Sequence, residues 1–281
     1  MPQELLIRAR LGAPRPSRDD VARALVLGPP VGASVDAFEI GRPATGSTCL
    51  VTLEDAATDG VLARVTMPLA RALFVGDDLL PAIVRAAREL DATLVDDEGA
   101  ELATEDAACV QWRARRLREL RALGLVCMQS GAPLPPKMPR RDLASAHAWL
   151  VAVDAIPDDD GPPIARLVLA LDARDGEDAT LAVRAPRADV VRLPPWPFVL
   201  IDPHAMGAPT SVDDAERALA PRLVSRAALV DGRAPDARGL VTVALDDRAR
   251  AIVHESPDLS AFRVISVSEV VDTESILHLD D

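Results

Sequence analysis

The stretch Gly131-Ala132-Pro133-Leu134-Pro135-Pro136-Lys137-Met138-Pro139-Arg140-Arg141 separates two halves of different character. Its four prolines lack a backbone N–H and hold φ near about −65°, which excludes a regular helix or a central strand. The stretch therefore predicts a semi-rigid polyproline connector. We expect an α+β domain at residues 1–130, a proline-rich hinge at 131–141 and an acidic, β-rich domain at 142–281.

Before the hinge, strand and helix patterns alternate. Glu4 to Leu11 alternates apolar and polar residues, as a half-buried strand does. Leu80, Ile83, Val84 and Ala87 have the i, i+3, i+4, i+7 spacing of an amphipathic helix, for which Asp77 or Asp78 is the expected cap. Further strands are expected at Ser34–Ile40, Thr48–Leu53, Val61–Met67 and Ala92–Val95. The order β-α-β-β-β-α-β-α predicts an antiparallel sheet with helices on one face, in the broad ferredoxin-like style.

Two more helices are predicted from their caps. Ser17 precedes a short helix, and Thr104 precedes a final helix that we expect to end near Leu123. The expected buried face of the final helix consists of Val110, Ala114, Leu117 and Leu120. Its arginines, with Glu119 among them, are interpreted as a solvated face. They are Arg113, Arg115, Arg116, Arg118 and Arg121.

Several segments together resemble a known family. They are Val65–Pro68, Leu79–Leu90, the run from Ala92 to Thr104 with its Asp-Asp-Glu-Gly, and Trp112–Arg116. Over residues 4–121 this pattern resembles the C-terminal, FtsZ-binding domain of the bacterial cell-division protein ZipA. The resemblance implies a non-enzymatic domain whose open sheet face receives a peptide of a partner protein.

After the hinge, short β-branched runs are separated by Pro, Gly and Asp. They predict seven or more strands, with one short helix at about Asp213 to Leu219. The clusters Asp158–Asp160 and Asp175–Asp178 lack the alternating spacing of a calcium loop and are interpreted as solvated loops. The predicted strands are Ala146–Val153, Ile164–Leu171, Thr180–Val183, Phe198–Ile201, Leu223–Val230, Gly239–Leu245, Ala251–His254 and Phe262–Val271.

Composition limits the classes of partner. The net charge is −13, of which the residues from Asp142 onward carry −12, and only 2% of residues are aromatic. An acidic surface repels phosphate and anionic lipid, and few aromatic rings are available to stack on bases. We expect no nucleic-acid or membrane partner, and a basic protein would suit the charge best. The patterns do not indicate an oligomeric state.

Cysteine usage indicates the compartment. Cys49, Cys109 and Cys127 are odd in number and form no C-x-x-C pair, which is typical of reduced cytoplasmic thiols. No basic leader precedes an apolar segment, and no run approaches the roughly 20 apolar residues of a membrane span. The chain has 30 Arg and a single Lys, Lys137, as in proteins of high-GC bacterial genomes. We therefore expect a cytoplasmic bacterial protein.

One group of residues suggests an enzyme. Asp202, His204 and His254 could hold iron on a β-barrel rim, with Arg263 binding the carboxylate of a keto acid, which resembles the cupin-type oxygenases. The order Asp-x-His departs from that family's His-x-Asp. Ser211 is better explained as a helix cap than as a nucleophile. No standard nucleotide-binding motif is present.

These observations favour a non-catalytic protein-binding function. An adaptor, an assembly factor and an inhibitor or immunity-type protein all fit it, with no catalytic residues, metal or cofactor. The alternative is a metal-dependent, non-haem iron enzyme using Asp202, His204 and His254.

Overall fold

The computed structural model describes residues 3–28, 30–31, 36–54, 60–156, 161–172, 179–186, 188–201, 222–256 and 262–276. The chain forms two compact units. The first contains residues 1–135, 139–151 and 268–281, and the second contains residues 136–138 and 152–267. We expected one domain before residues 131–141 and one after them. In the structure the first unit also includes residues 139–151 and 268–281, which follow the start of the hinge.

A five-stranded sheet forms the centre of the first unit, in the order β2-β3-β4-β1-β5. All neighbouring strands are antiparallel, which confirms the predicted α+β class with an antiparallel sheet. The ferredoxin-like and ZipA-like details stay predictions. The strands are β1 (Gln3–Ala9), β2 (Ala37–Arg42), β3 (Ser47–Leu53), β4 (Val61–Met67) and β5 (Ala92–Asp96).

One face of this sheet is buried. Side chains point alternately to the two faces of a strand, and along β1 Leu5 and Ile7 are buried while Leu6 between them is partly exposed. The cross-strand partners Val65 and Ala63 are buried as well. Helices pack on strands of this sheet. On the side opposite Leu5 and Ile7, the β1 side chains Glu4, Leu6 and Arg8 are partly or fully exposed, and we call this side the open face.

The helices of the first unit begin largely where the caps predict. Ser17 forms a capping box with Asp20, and Thr104 accepts a hydrogen bond from Ala107 N. The amphipathic helix begins at Phe74, one turn before its expected cap, so Asp78 lies inside it. The helices are α1 (Arg18–Ala24), α2 (Phe74–Glu89), α3 (Glu105–Ser130), α4 (Arg140–Asp154) and α7 (Thr273–Ile276).

The expected buried face of α3 is wrong except at Leu120. Val110 is 64% exposed, Ala114 is exposed and Leu117 is only partly buried. The helix instead buries Ala108, Trp112, Arg116, Leu120, Gly124 and Cys127. Hydrophobic spacing alone could not identify this face, because it contains an arginine whose partners come from distant parts of the chain.

Arg116 is buried to 1% exposure and fully paired. Its Nε and one terminal nitrogen donate to Arg71 O at 2.9 and 2.6 Å, and its other terminal nitrogen donates to Asp272 Oδ1 at 3.1 Å. Ser275 Oγ donates to the same Asp272 oxygen at 2.6 Å. Arg140 donates to Oδ2 at 3.2 Å. This network joins α3 to residues near the C-terminal end of the described chain.

Asp272 is ionised within this network. Its burial would raise the pKa, but the hydrogen bond from Ser275 and the charges of Arg116 and Arg140 outweigh that effect and lower the pKa. Burial lowers the pKa of Arg116, although the charge of Asp272 opposes this effect. The pair is a buried ion pair whose polar atoms are satisfied by neighbours.

The predicted strand at Ala146–Val153 is wrong, because these residues belong to α4. The segment is rich in alanine, which has the highest helix propensity. Leu143 and Ala146, three residues apart, are its buried positions. The helix begins at Arg140, so the last two residues of the expected hinge are helical.

The second unit is β-rich, as its sequence predicts. Its main sheet has the order β11-β10-β8-β7-β13, in which only β8 and β10 are parallel neighbours. β9 and β12 form a separate antiparallel pair. The strands are β6 (Lys137–Met138), β7 (Arg166–Asp172), β8 (Ala179–Arg184), β9 (Val190–Leu193), β10 (Phe198–Ile201), β11 (Arg222–Ser225), β12 (Val241–Ala244) and β13 (Phe262–Ile265), and β14 (Val271–Asp272) belongs to the first unit.

Burial in the main sheet follows the predicted apolar runs. Leu169, Ala170 and Leu171 are consecutively buried on β7, and Val199–Ile201 is consecutively buried on β10. Consecutive burial means that both faces of these strands are covered. The short apolar run at Phe198–Ile201 is therefore a buried strand, as expected.

Three further predicted strands of the chain's second half differ in the structure, besides Ala146–Val153. Ala251–His254 lies in α6 (Asp247–Glu255), whose cap Asp246 accepts from Ala249 N. The run from Leu223 to Val230 becomes helix α5 (Arg226–Val230) after β11. The run from Phe262 to Val271 is interrupted by a 3-10 turn (Val267–Glu269). The helix expected at about Asp213 to Leu219 lies outside the described residues.

Within the described ranges, no helix combines the length and the apolar character needed to cross a membrane.

We expect Asp272→Asn to lower the free energy of unfolding by about 3–5 kcal/mol, because it leaves the Arg116 charge buried without its counter-charge. The matched control is Glu98→Gln, which breaks the exposed pair between Arg118 of α3 and Glu98 of the turn after β5 and should cost about 0–1 kcal/mol. Urea titration at neutral pH measures both. Equal stability losses in the two variants would contradict the structural role of the ion pair.

Gly76→Ala should also destabilise the protein, by about 1–3 kcal/mol, through overpacking. A Cβ at Gly76 would lie 2.3 Å from Trp112 Cε3, so the indole must move. Gly28→Ala is the control, because its Cβ would meet nothing within 4 Å. Thermal unfolding of both variants tests this contact. A Gly76→Ala protein as stable as the control would show that the indole of Trp112 can move away from α2 with no loss of free energy of unfolding.

Candidate functional site

The open face of the first unit's sheet is a candidate binding surface. Its side chains are exposed or partly exposed except at the start of β4, where Val61 and Leu62 are buried beside a register shift between β1 and β4, and Leu50 is 41% exposed. Its cross-strand pairs include Leu6 with Val95, which places a second apolar group on the face. The open face consists of Glu4, Leu6, Arg8, Glu39, Thr48, Leu50, Thr52, Arg64, Thr66, Thr93 and Val95.

Charge on the open face is arranged around Leu50. Glu39 lies opposite Leu50 on β2, and Thr66 lies opposite it on β4. Arg64 donates to Glu4 at 2.5 Å and to Glu54 at 3.1 Å. This arginine is therefore balanced by two carboxylates. Glu39 is exposed and gives the edge of the face a negative charge.

A buried carboxylate forms a second candidate site. Asp78 of α2 accepts hydrogen bonds from Thr45 Oγ1 at 2.6 Å and Ser47 Oγ at 2.7 Å on one oxygen. Its other oxygen accepts from His147 Nε2 at 3.0 Å and from Arg42 at 3.2 Å. The cluster joins α2, the turn between β2 and β3, and α4. Four donors thus hold one buried anion.

The surroundings of Asp78 keep it ionised. Burial would raise its pKa, but hydrogen bonds from His147, Thr45 and Ser47 outweigh the burial and lower the pKa to about 2. The imidazole of His147 also stacks on Phe74, with ring centroids 4.5 Å apart and planes 15° from parallel. The histidine is thereby held in one orientation against α2.

An Asp–His pair can support general-base catalysis, but this pair activates no nucleophile among its described contacts. The hydroxyl of Ser47 donates to the carboxylate rather than to the imidazole. The carboxylate oxygens are each occupied by two donors. This arrangement ties α4 to α2 and to the turn between β2 and β3, which gives the Asp78 cluster a structural role.

The cysteines are poor nucleophiles in this environment. Burial and the charge of Glu39 raise the pKa of Cys49 to about 12. Burial, with Asp77 nearby, also raises the pKa of Cys109. Catalytic cysteines need a lowered pKa, so neither thiol has the electrostatics of an activated nucleophile.

The residues of the predicted iron site are not brought together by anything described. Asp202 and His204 lie outside the described residues, and so do the acidic clusters expected to be solvated and Ser211. His254 belongs to α6. Across the described ranges there is no group of three or more His, Cys, Asp or Glu side chains that could hold a metal ion. The iron hypothesis stays a prediction.

Sequence reasoning missed the Asp78 cluster. Asp78 carried the pattern of a helix cap, and His147 fell within a predicted strand. The sequence feature that could have indicated this cluster is the Thr45-Gly-Ser47 turn, because its two hydroxyl groups are hydrogen-bond donors that can bind a buried carboxylate. No local pattern joins residues that lie 31 to 69 positions apart in the chain.

Comparison of the chain with protein-family models, curated proteins and solved structures finds no match.

We expect the Asp78 cluster to appear as an acid-dependent stability. The ordinary pKa of 3.8 falls to about 2 on folding, so the stabilisation is complete above about pH 4 and is lost as pH falls toward 2. The difference corresponds to about 2 kcal/mol. Urea unfolding of the wild type between pH 2 and 6 should show this loss, and Asp78→Asn should lack that part of it.

Ser47→Ala serves as the graded variant, because it removes one of the four donors and should move the loss to higher pH. If Asp78→Asn retained the full wild-type pH dependence, the stabilisation would have to come from other carboxylates.

Proposed function

We propose that this chain is a cytoplasmic, non-catalytic protein-binding protein, and that the open face of the first unit's sheet receives a segment of a partner protein. The observation that carries the proposal is the contrast between the two faces. Leu5 and Ile7 on one face are buried, while Leu6 and Leu50 on the other face reach solvent. An antiparallel sheet with one open apolar-centred face offers a surface for a peptide.

The negative charge of the chain favours a partner segment that is basic, and the exposed Leu50 favours one that is also apolar. The chain has a net charge of −13, and Glu39 is exposed beside Leu50. Arg64 is already paired with Glu4 and Glu54 and offers little attraction to an acidic group. An apolar side chain of the partner would pack on Leu50, with Lys or Arg near Glu39. Such charge complementarity chiefly raises the association rate and weakens with salt.

The chemistry of the first unit supports a non-catalytic role. Its most catalysis-like group, Asp78 with His147, is used to hold α4, and its cysteine pKa values are raised rather than lowered. An adaptor, an assembly factor and an inhibitor all remain compatible with a binding face of this kind.

Capture from a lysate of the native host at low salt, followed by reconstitution with the purified partner, tests the proposal. Leu50→Arg should weaken binding of the identified partner at least about tenfold, because it replaces the central apolar contact with a charge that repels a basic segment. The matched control is Leu11→Arg, which places the same charge on a fully exposed leucine in the turn after β1, outside the strands that form the face.

Added salt should weaken the wild-type complex. Equal binding by Leu50→Arg and Leu11→Arg would exclude the open face. Recovery of no stoichiometric partner together with a turnover activity would overturn the non-catalytic function itself.

A further inference from the structure

Helix α3 carries two stripes that contain apolar side chains. One stripe is buried in the first unit, and the other is largely exposed. The buried stripe includes Trp112, Arg116 and Leu120. A second stripe on a different side of the helix consists of Val110, Ala114, Leu117, Leu125 and Met128, and we call it the outer stripe. Amphipathic surface helices normally present polar residues away from the core, so a second apolar stripe is unusual.

The outer stripe is well exposed. Val110 is 64%, Leu125 46% and Met128 57% exposed. Three of the eight large apolar side chains that are exposed in the described part of the chain therefore lie on this stripe. Contiguous exposed apolar surface marks an interaction site.

The spacing of the outer stripe is symmetric about residue 119 to within one position. Val110 lies nine positions before it and Met128 nine positions after it, while Leu117 and Arg121 lie two before and two after. Ala114 and Leu125 are five before and six after. A stripe with this symmetry matches a copy of itself that runs in the opposite direction, as a twofold interface requires.

We propose that two copies of the chain associate through their α3 helices, packed antiparallel along the outer stripe. Val110 of one copy then packs on Met128 of the other, and the small Ala114 receives the larger Leu125. The contact extends over the nineteen residues from Val110 to Met128, which span about 27 Å at 1.5 Å rise per residue. The proposal rests on the outer stripe and is independent of the open sheet face.

The charge distribution favours this place for self-association. Each copy carries −13, yet between residues 120 and 136 the only charged residue is Arg121. Arg121 faces Leu117 of the second copy, and its aliphatic stem can cover that leucine while the guanidinium reaches water. Arg113 and Arg118 at the margins are paired with Asp77 and Glu98.

The expected dimer is weak and strengthens with salt. A single helix pair buries on the order of 1,000 Å², which is at the low end for protein interfaces. Two copies of the same net charge repel one another, and salt screens that repulsion. The dimer and the proposed partner complex therefore respond to salt in opposite directions.

Sedimentation of the full chain over a range of concentrations tests the association. The weight-average mass should rise from 29.8 kDa toward twice that value as the protein concentration increases, and further at higher salt. Leu125→Ser with Met128→Ser should hold the mass at 29.8 kDa at every concentration. Leu11→Ser, the control at another exposed leucine, should behave as the wild type.

Disulfide trapping tests the orientation in a Cys109→Ser background. A mixture of Val110→Cys and Met128→Cys proteins should form a mixed cross-linked dimer, since these positions face each other only in the antiparallel register. Neither protein alone should cross-link, because identical positions lie about 27 Å apart along the axis. A wild type that stays monomeric, a dimer unaffected by the stripe substitutions, or cross-links between identical positions would each overturn the proposal.

Discussion

The buried ion pair between Arg116 and Asp272 determines how α3 lies on the first unit. A guanidinium group at 1% exposure is tolerated only when a counter-charge and hydrogen-bond acceptors surround it. Asp272 and the carbonyl oxygen of Arg71 supply both. The partners come from positions 45 and 156 residues away in the chain, so the helix acquires its orientation only when these segments have come together.

The orientation of α3 has consequences on both of its sides. On the inner side, Arg116 lies over the indole of Trp112, with its Cζ 5.9 Å from a ring centroid, and Trp112 packs against Gly76, where no side chain intervenes. On the outer side, Val110 and Leu125 are turned toward solvent. An interaction made in the interior thus creates an apolar surface at the exterior.

A second buried charge, Asp78, acts in a similar way on α4. Its four donors come from two hydroxyl groups, an imidazole and a guanidinium. The resulting anion holds His147 in place, which explains why an Asp–His pair occurs here without a nucleophile in its described contacts. Both buried carboxylates stabilise the scaffold, while the surfaces proposed for binding, the open sheet face and the outer stripe, are built mainly from apolar and neutral side chains.

The sequence by itself determined the α+β class, the antiparallel strands of the first unit, the caps at Ser17 and Thr104 and the β-rich second unit, because alternation, helical spacing and capping are local. Tertiary structure decided what depends on distant partners. The apolar spacing of α3 predicted that Val110 is buried. In the structure the side of α3 that carries Arg116 is buried instead, because Arg116 pairs there with Asp272. The pattern of residues 146–153 predicted a strand, but these residues form a helix. Burial of Ala146 and the hydrogen bond from His147 to Asp78 stabilise that helix, since tertiary contacts outweigh local propensity.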